Sequence, residues 1–374
     1  MMNTSYQRQN FRDIFIASAY AGLDLQNENG TFPPGHNGSW NVLETHVRNT
    51  GHWIITCAKA YELTQDVAFK DAVERAGNFL LSPDACPFGH TYRIMQKKGW
   101  ETNGIVGQAW VLEALLAAWK VLDNDDYLQA AHSLVIAHSF NRKLSLWHIT
   151  SLEGQVTKEH TTLNQQIWFT ACAHQVGLKT NDPDILEKST ASANNFSGIA
   201  KFNGNFIHMI VNEKIYSKYD WKTFFKWKWK FFKDRRIFDL LSKGYISYSL
   251  YPLAILHESD NSLQLWKTED FHALYLSSFF YMEDHVFKYS IDDNPYAFSY
   301  HPTGFEAAYI LDTFSHYLNN PKRNSKDWIE KQINQHFDFQ KNLMCKNTYD
   351  PNTLAARLYE VTRISDMDIE IETR

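Results

Sequence analysis

An all-α ring of six helical hairpins is the architecture this 374-residue sequence predicts, and three observations predict it. Long segments repeat apolar residues at three- and four-residue spacing, the period of one helical face. Convincing two-residue alternation, the mark of strands, is scarce. A weak internal repeat also recurs, in which a long helix, a short polar turn and a second helix follow one another.

The elements follow in chain order. An amphipathic run over residues 14–25 opens the chain. Helical spacing then covers residues 52–63 and 67–81, 106–122 and 127–137, 167–176, and 305–317. A shift of 58 residues lays Ala60-Tyr61 over Ala118-Trp119, Leu63 over Val121, Phe69 over Tyr127 and Ala72 over Ala130. In both copies a long helix ends in a short polar turn, Thr64-Gln65-Asp66 in one and Asp123-Asn124-Asp125 in the next, and a looser third copy runs from Trp168 through Asn181-Asp182-Pro183-Asp184 into Ile185. Antiparallel pairs of this kind bury their apolar faces on their neighbours. About eleven or twelve helices fit this length, which suits an (α/α)6 toroid rather than an open superhelix. Short β-signals such as FNGNFIHMIV, residues 202–211, read as hairpins in loops. The whole chain, 1–374, reads as one domain.

One stretch stands apart. Residues 218–236, KYDWKTFFKWKWKFFKDRR, alternate lysine with Trp and Phe. This insertion suits a lid that folds its aromatics onto the barrel under lysine stems, or a contact with a membrane surface or an anionic polymer.

Composition narrows the function classes. The net charge of −5 lacks the broad basic footprint of a phosphate-backbone binder, so no nucleic-acid partner is expected. No run reaches the length of a spanning helix and the first residues lack an apolar signal core, so a cytoplasmic protein is expected. Cys57, Cys86, Cys172 and Cys345 show no metal-ligand spacing and read as free thiols; no metal or cofactor is expected. Aromatics reach 15% of the chain, more than packing alone requires, and such side chains can line a pocket that stacks on sugar rings.

Four polar clusters precede apolar helices. The densest is ETHVRNTGHW, which sets Glu44, Arg48, Asn49 and His52 at a helix start after a turn-rich approach. The alternative for these residues is a plain cap and a Glu44–Arg48 ion pair. The second cluster holds Asn103, Gly104, Gln108 and Trp110, with Asn103 either a cap or a ligand-binding amide; the third holds Asn164, Gln166 and Trp168. The fourth, YAFSYHPTGFE, sets the phenol of Tyr300 and the imidazole of His301 side by side before Glu306. Phenol, imidazole and carboxyl are the groups of acid–base work on a sugar. Glu44, Glu101, Asp284 and Glu306 are the acidic candidates for glycosidic cleavage.

The strings ETHVRNTGHW, NGIVGQAWVLEAL, LNQQIWFTACA, GYISYSLYPLAIL and SYHPTGFE resemble those of the Agl-cluster Q-type family, over roughly residues 30–320. That family sits within the wider group of unsaturated-glucuronyl-hydrolase-like six-hairpin proteins. The resemblance implies the same toroid and action on a uronic-acid-containing glycan. It points to Glu44, Arg48, Asn49, His52, Asn103, Gln108, Asn164, Gln166, Tyr300, His301 and Glu306. The leading expectation is a glycoside hydrolase on an anionic oligo- or polysaccharide, with Glu44 as acid or base and Arg48 gripping a substrate carboxylate. The alternative is a lyase or uronyl C5-epimerase, in which His52, Tyr300 or His301 moves the proton. A glycan-binding protein without catalysis is the third. All require the four clusters to converge at one end of the ring.

Overall fold

The computed structural model describes residues 7–160, 162–196 and 235–373. Its helices are α1 (Phe11–Leu23), α2 (Val47–Thr64), α3 (Val67–Leu80), α4 (Val106–Leu122), α5 (Asp125–Ile136), α6 (Leu163–Thr180) and α7 (Pro183–Asn194). Beyond them come α8 (Arg235–Gly244), α9 (Ile246–Ser259), α10 (Glu269–Asp284), α11 (Thr303–Phe314), α12 (Ser325–His336) and the short α13 (Pro351–Ala356). The expected hairpin at 202–211 and most of the 218–236 insertion lie outside the described residues; Arg235 and Arg236 begin α8.

Helices α2, α4, α6, α9 and α11 pack side by side as an inner ring. A 3-10 turn, Arg357–Val361, continues α13 and closes the ring by touching both α11 and α2. Helices α3, α5, α7, α10 and α12 lie outside, each against the inner helix before it, and α1 packs on α2. Strand β1 (Gln7–Asn10) pairs antiparallel with the final strand (Glu370–Thr373), Gln7 opposite Thr373, and ties the two ends of the chain together. The remaining sheets are small. Phe140–Asn141, Leu146–Thr150 and Val156–Glu159 form a three-stranded meander after α5, and Phe337–Asp338 pairs with Leu343–Met344 after α12. Among the described residues, no helix is long and apolar enough to cross a membrane.

The 58-residue repeat has a physical basis in the turns. Helices α2, α4 and α6 end at Gln65, Asp123 and Asn181, each in the left-handed conformation, at φ 59°, 53° and 55°. The next residue in every copy is an Asx cap: Asp66 accepts from the Ala68 N–H, Asn124 from Asp126, and Asp182 from Asp184 and Ile185. A left-handed residue stops one helix and an Asx side chain starts the next, so the chain reverses in two residues. The reverse links, from outer helix back to inner helix, are long loops. They collect at the mouth where the inner helices begin.

The same register fixes those loops. Thr50, Gln108 and Gln166 stand 58 residues apart on the first turns of α2, α4 and α6. Thr50 Oγ1 accepts from the Phe32 N–H at 3.0 Å. Gln108 accepts from the Tyr92 N–H at 2.8 Å and donates to the carbonyls of Tyr92 and Thr102. Gln166 does the same to Trp147, at 2.9 Å and 2.8 Å, and also donates to the His160 carbonyl. These buried backbone groups need partners, and a side-chain hydroxyl or amide supplies them. Replacing Gln108 by Ala strands three buried backbone groups. We expect a loss of about 2–5 kcal/mol in urea unfolding, with Gln166→Ala similar and Gln65→Ala, on the turn, far smaller.

Candidate active site

The inner helices begin at one mouth, and their first turns meet there. The Arg48 guanidinium lies over the Trp110 ring, 4.1 Å from its centroid. Trp110 Nε1 donates to the Tyr248 hydroxyl at 3.0 Å, and Trp168 Nε1 donates to the Tyr248 carbonyl. Ser247 Oγ donates to Glu306, and Glu306 accepts from Arg357 at 3.0 Å. Helices α2, α4, α6, α9, α11 and the closing turn each supply a side chain to this one cluster.

Two buried arginines organise it. Arg48, 1% exposed, donates to Glu44 at 2.6 Å, to Asn37 Oδ1 at 3.3 Å and through Nε to His52 Nε2 at 3.3 Å. Arg48 and His52 lie one helical turn apart on α2, which places guanidinium and imidazole on one face, and Glu44 reaches the same guanidinium from the extended segment before the helix, where it bridges Met95. Arg357, equally buried, donates to Glu360 at 2.6 Å and 2.9 Å, to the Tyr300 carbonyl at 2.9 Å and to His301 Nδ1 at 2.8 Å. A guanidinium only donates, so the ring nitrogens facing Arg48 and Arg357 are acceptors, and neutral His52 and His301 carry their protons on the opposite nitrogen.

Burial sets the protonation states. It pushes the Glu44 carboxyl up; Arg48 opposes this and the Asp350 charge adds to it. It drives His52 well below the usual imidazole range, helped by the charges of Arg48 and Arg357, so His52 stays neutral. Glu306 rises well above the usual carboxylate range because it is buried and faces Glu360, with Arg357 opposing. Two carboxyls sharing one guanidinium hold a proton between them. Tyr245, Tyr248 and Tyr300 are all raised by burial and remain phenols.

The loop before α2 completes the cluster. Asp350 caps α13 through the Thr353 N–H and also accepts from the N–H groups of His36 and Gly38, each at 2.9 Å. This holds Asn37 in the left-handed conformation, where its Oδ1 receives the Tyr300 hydroxyl at 2.6 Å. Gly38, at φ 56°, lies against the Tyr300 ring so closely that a Cβ would fall 2.1 Å from it. Only glycine allows that approach.

The structure therefore gathers Glu44, Arg48, His52, Trp110, Tyr300, His301 and Glu306, with Trp168 packed beneath Tyr248 and Tyr251. The remaining candidates stand elsewhere. Asn49 is not a cap, because α2 begins at Val47; its Nδ2 donates to the Pro33 carbonyl at 2.8 Å. Asn103 does not cap α4 but occupies a left-handed turn position at φ 53°; the first N–H groups there are received by Gln165 Oε1, at 3.0 Å and 3.3 Å. Gln108 and Gln166 have their amides committed to loop backbones rather than to open space. Asn164 is buried, with no partner for Oδ1 among the described residues. Glu101 sits in a shallow rim pocket beside Arg93 and Lys98, and Asp284 pairs with Lys322 at the end of α10. The ion pair of Glu44 and Arg48, the plainer expectation for them, is present.

Sequence reading missed Asn37, Tyr248, Arg357 and Glu360. A signal for the last two was available: LAARLYEV sets Arg357 and Glu360 three apart in an otherwise apolar segment opened by Asp350-Pro351. A cation and an acid inside such a segment imply a buried pair.

Arg357→Met leaves Glu306 and Glu360 facing each other without a cation, and should cost about 3–5 kcal/mol. Glu306→Gln should be mild. Because the folded pKa of Glu306 is raised, its stabilising contribution is full below the ordinary carboxylate range and lost as pH rises through the folded value. Urea unfolding at about pH 5 and about pH 8 should show wild type weaker at the higher pH and Glu306→Gln less so.

Comparison with known proteins places this fold in a lineage. No family model matches the chain. Among solved structures, cellobiose 2-epimerase from Bacillus thermoamylovorans superposes with a TM-score of 0.64 at 10% identity, over 94% of this chain and 98% of that one. An unsaturated glucuronyl hydrolase specific for heparin gives 0.57 at 12% identity, over 95% of each chain. At these identities the likeness establishes the (α/α)6 toroid. In sequence, the chain is 33% identical to archaeal glycosylation protein Q of Haloferax volcanii, across 96% of this chain and 99% of the relative. Near-complete coverage at that identity settles descent as well as fold: the chain belongs to the archaeal glycosylation protein Q family.

Proposed function

We propose that the chain is a carbohydrate-active enzyme of glycan assembly, which modifies an acidic sugar by moving protons at the mouth formed by the first turns of its inner helices. The observation that carries this reading is the pairing of two buried guanidiniums with imidazole and phenols in one cluster. Arg48 and Arg357 are permanent cations suited to a carboxylate or to the negative charge that develops when a proton leaves the carbon beside it. His301 and Tyr300, on the loop that opens α11, are the proton carriers of that chemistry. The aromatic faces of Trp110 and Tyr248 suit the apolar face of a sugar ring. The relative's role in glycosylation supports assembly over degradation, and the epimerase and hydrolase neighbours are sugar enzymes on the same ring.

Epimerisation or elimination at C5 of a uronate fits the commitments of the acids. Glu44 is held by Arg48, Glu306 and Glu360 by Arg357, and Asp350 by loop N–H groups. In the present geometry His52 acts as the acceptor that orients Arg48. Hydrolysis is the second reading, favoured by the raised Glu44 carboxyl, which suits a general acid. Asn103, Asn164, Gln108 and Gln166 contribute to binding through the loops they hold. The 218–236 segment is proposed to meet the polymer or a membrane surface.

Incubation with uronic-acid oligosaccharides in deuterated water separates the outcomes. An epimerase incorporates deuterium at C5 without cleavage, a lyase creates an ultraviolet-absorbing unsaturated end, and a hydrolase releases reducing ends alone. We expect His301→Ala to lower turnover by about a hundredfold or more with the fold intact. Reducing ends alone, lost in Glu44→Gln and kept in His301→Ala, would replace proton transfer with hydrolysis. Arg48→Lys should weaken the uronate substrate and leave its carboxyl-reduced counterpart unaffected. Equal handling of the two glycans by wild type would remove the acidic-sugar assignment.

A further inference from the structure

Among the described residues, the other end of the ring is open. Between the last turns of α2, α4, α6 and α9, and beside the segment after the closing 3-10 turn, lies a cavity of about 910 Å³. It lies at the end opposite the mouth built by Arg48 and Arg357, where α2, α4 and α6 give way to two-residue turns.

Its floor is polar and incompletely satisfied. Glu113, on the inner face of α4, is 2% exposed. One of its oxygens accepts from Arg363 at 3.0 Å, and Oε2 has no partner among the described residues. Arg363 Nε likewise has none, while its NH1 lies 4.0 Å from Glu258. A buried donor or acceptor left unmatched is costly, so two at one cavity floor mark a place where a ligand or ordered water completes the bonding. Burial also pushes the Glu113 carboxyl up to about 7 against the opposing charge of Arg363, so near neutrality it can both donate and accept.

The walls indicate the ligand class. Tyr61 and Trp119 supply aromatic surface, and Gln175 and Glu258 supply amide and carboxylate at the lip. The lining holds Lys59, Lys120, Lys179 and Arg363 against Glu62, Glu113 and Glu258, a near-balance that favours neither a polyanion nor a polycation. Aromatic faces combined with acids, amides and cations that can pair with adjacent hydroxyls are the chemistry of sugar recognition. The space accommodates about two rings, within the usual range for ligand pockets.

We infer that this second mouth is a binding site for a short neutral saccharide, separate from the acidic-sugar site and independent of the reaction proposed there. Titration calorimetry of the full chain with cellobiose, mannobiose and glucuronic acid tests it. At least one neutral disaccharide should bind. Ala117→Trp, which fills the cavity from α4, and Trp119→Ala, which removes a wall at its lip, should each weaken that binding tenfold or more. Arg48→Lys should leave it unchanged. Melting curves verify that the variants fold; if Ala117→Trp does not, Trp119→Ala alone decides. Absence of heat with both disaccharides at tens of millimolar overturns the assignment. So does binding that survives a folded cavity variant, or binding that Arg48→Lys abolishes, since the sugar would then sit at the other mouth.

Discussion

Two guanidiniums that cannot give up their charge sit inside this ring, and the rest of the mouth around them is arranged to neutralise them. An unpaired buried cation would cost several kcal/mol, so Arg48 and Arg357 each require a carboxylate and further acceptors. Glu44, Asn37 and His52 serve Arg48, and Trp110 covers its face. Glu360, Glu306, His301 and the Tyr300 carbonyl serve Arg357. The two sets share Tyr300, whose ring lies 5.7 Å from one guanidinium and 5.5 Å from the other. The cluster is therefore one electrostatic unit, and a substitution at either arginine should be felt at both.

That unit explains why the sixth inner segment is short and irregular yet indispensable. Helix α13 spans only six residues before it tightens into the 3-10 turn that carries Arg357 and Glu360. Asp350 opens it with Pro351 at the first helical position, and the same carboxylate pins the loop that presents Asn37. The last inner segment and the loop before the first inner helix are thus joined through one side chain. The pairing of the terminal strands closes the ring from outside. Closure is what brings Arg48 and Arg357 into one cluster around Tyr300.

The two ends of the ring differ because the two kinds of connection differ. At one end, two-residue turns follow α2, α4 and α6 and leave their last turns around an open cavity. Long loops cover the other end, and their backbones need partners that helices cannot supply. Thr50, Gln108 and Gln166 meet that need in register. A rigid floor of inner helices under loops clamped in this way is a scaffold that can hold reacting groups in fixed geometry.

The ring was legible in the sequence because its cause is local. Helical periodicity, the left-handed stop and the Asx start recur every 58 residues, and each needs only its immediate neighbours to act. The Arg48–His52 face was legible for the same reason, being set by the pitch of one helix, whereas Glu44 joins it from extended backbone before that helix. Boundaries moved where tertiary packing overrode them: α2 begins at Val47 rather than near His52, and α11 yields to a 3-10 turn after Phe314. The roles of Gln108, Gln166 and Asn103 were not legible, because an amide has the same donors and acceptors for a sugar and for a loop backbone. Nor was the meeting of Asn37 with Tyr300, or of Arg357 with His301. Those contacts span 263 and 56 residues and exist only because the ring closes. Sequence alone determined which helices form and which faces they bury; tertiary structure decided which charges share the interior, since that depends on where a closed ring brings distant turns together.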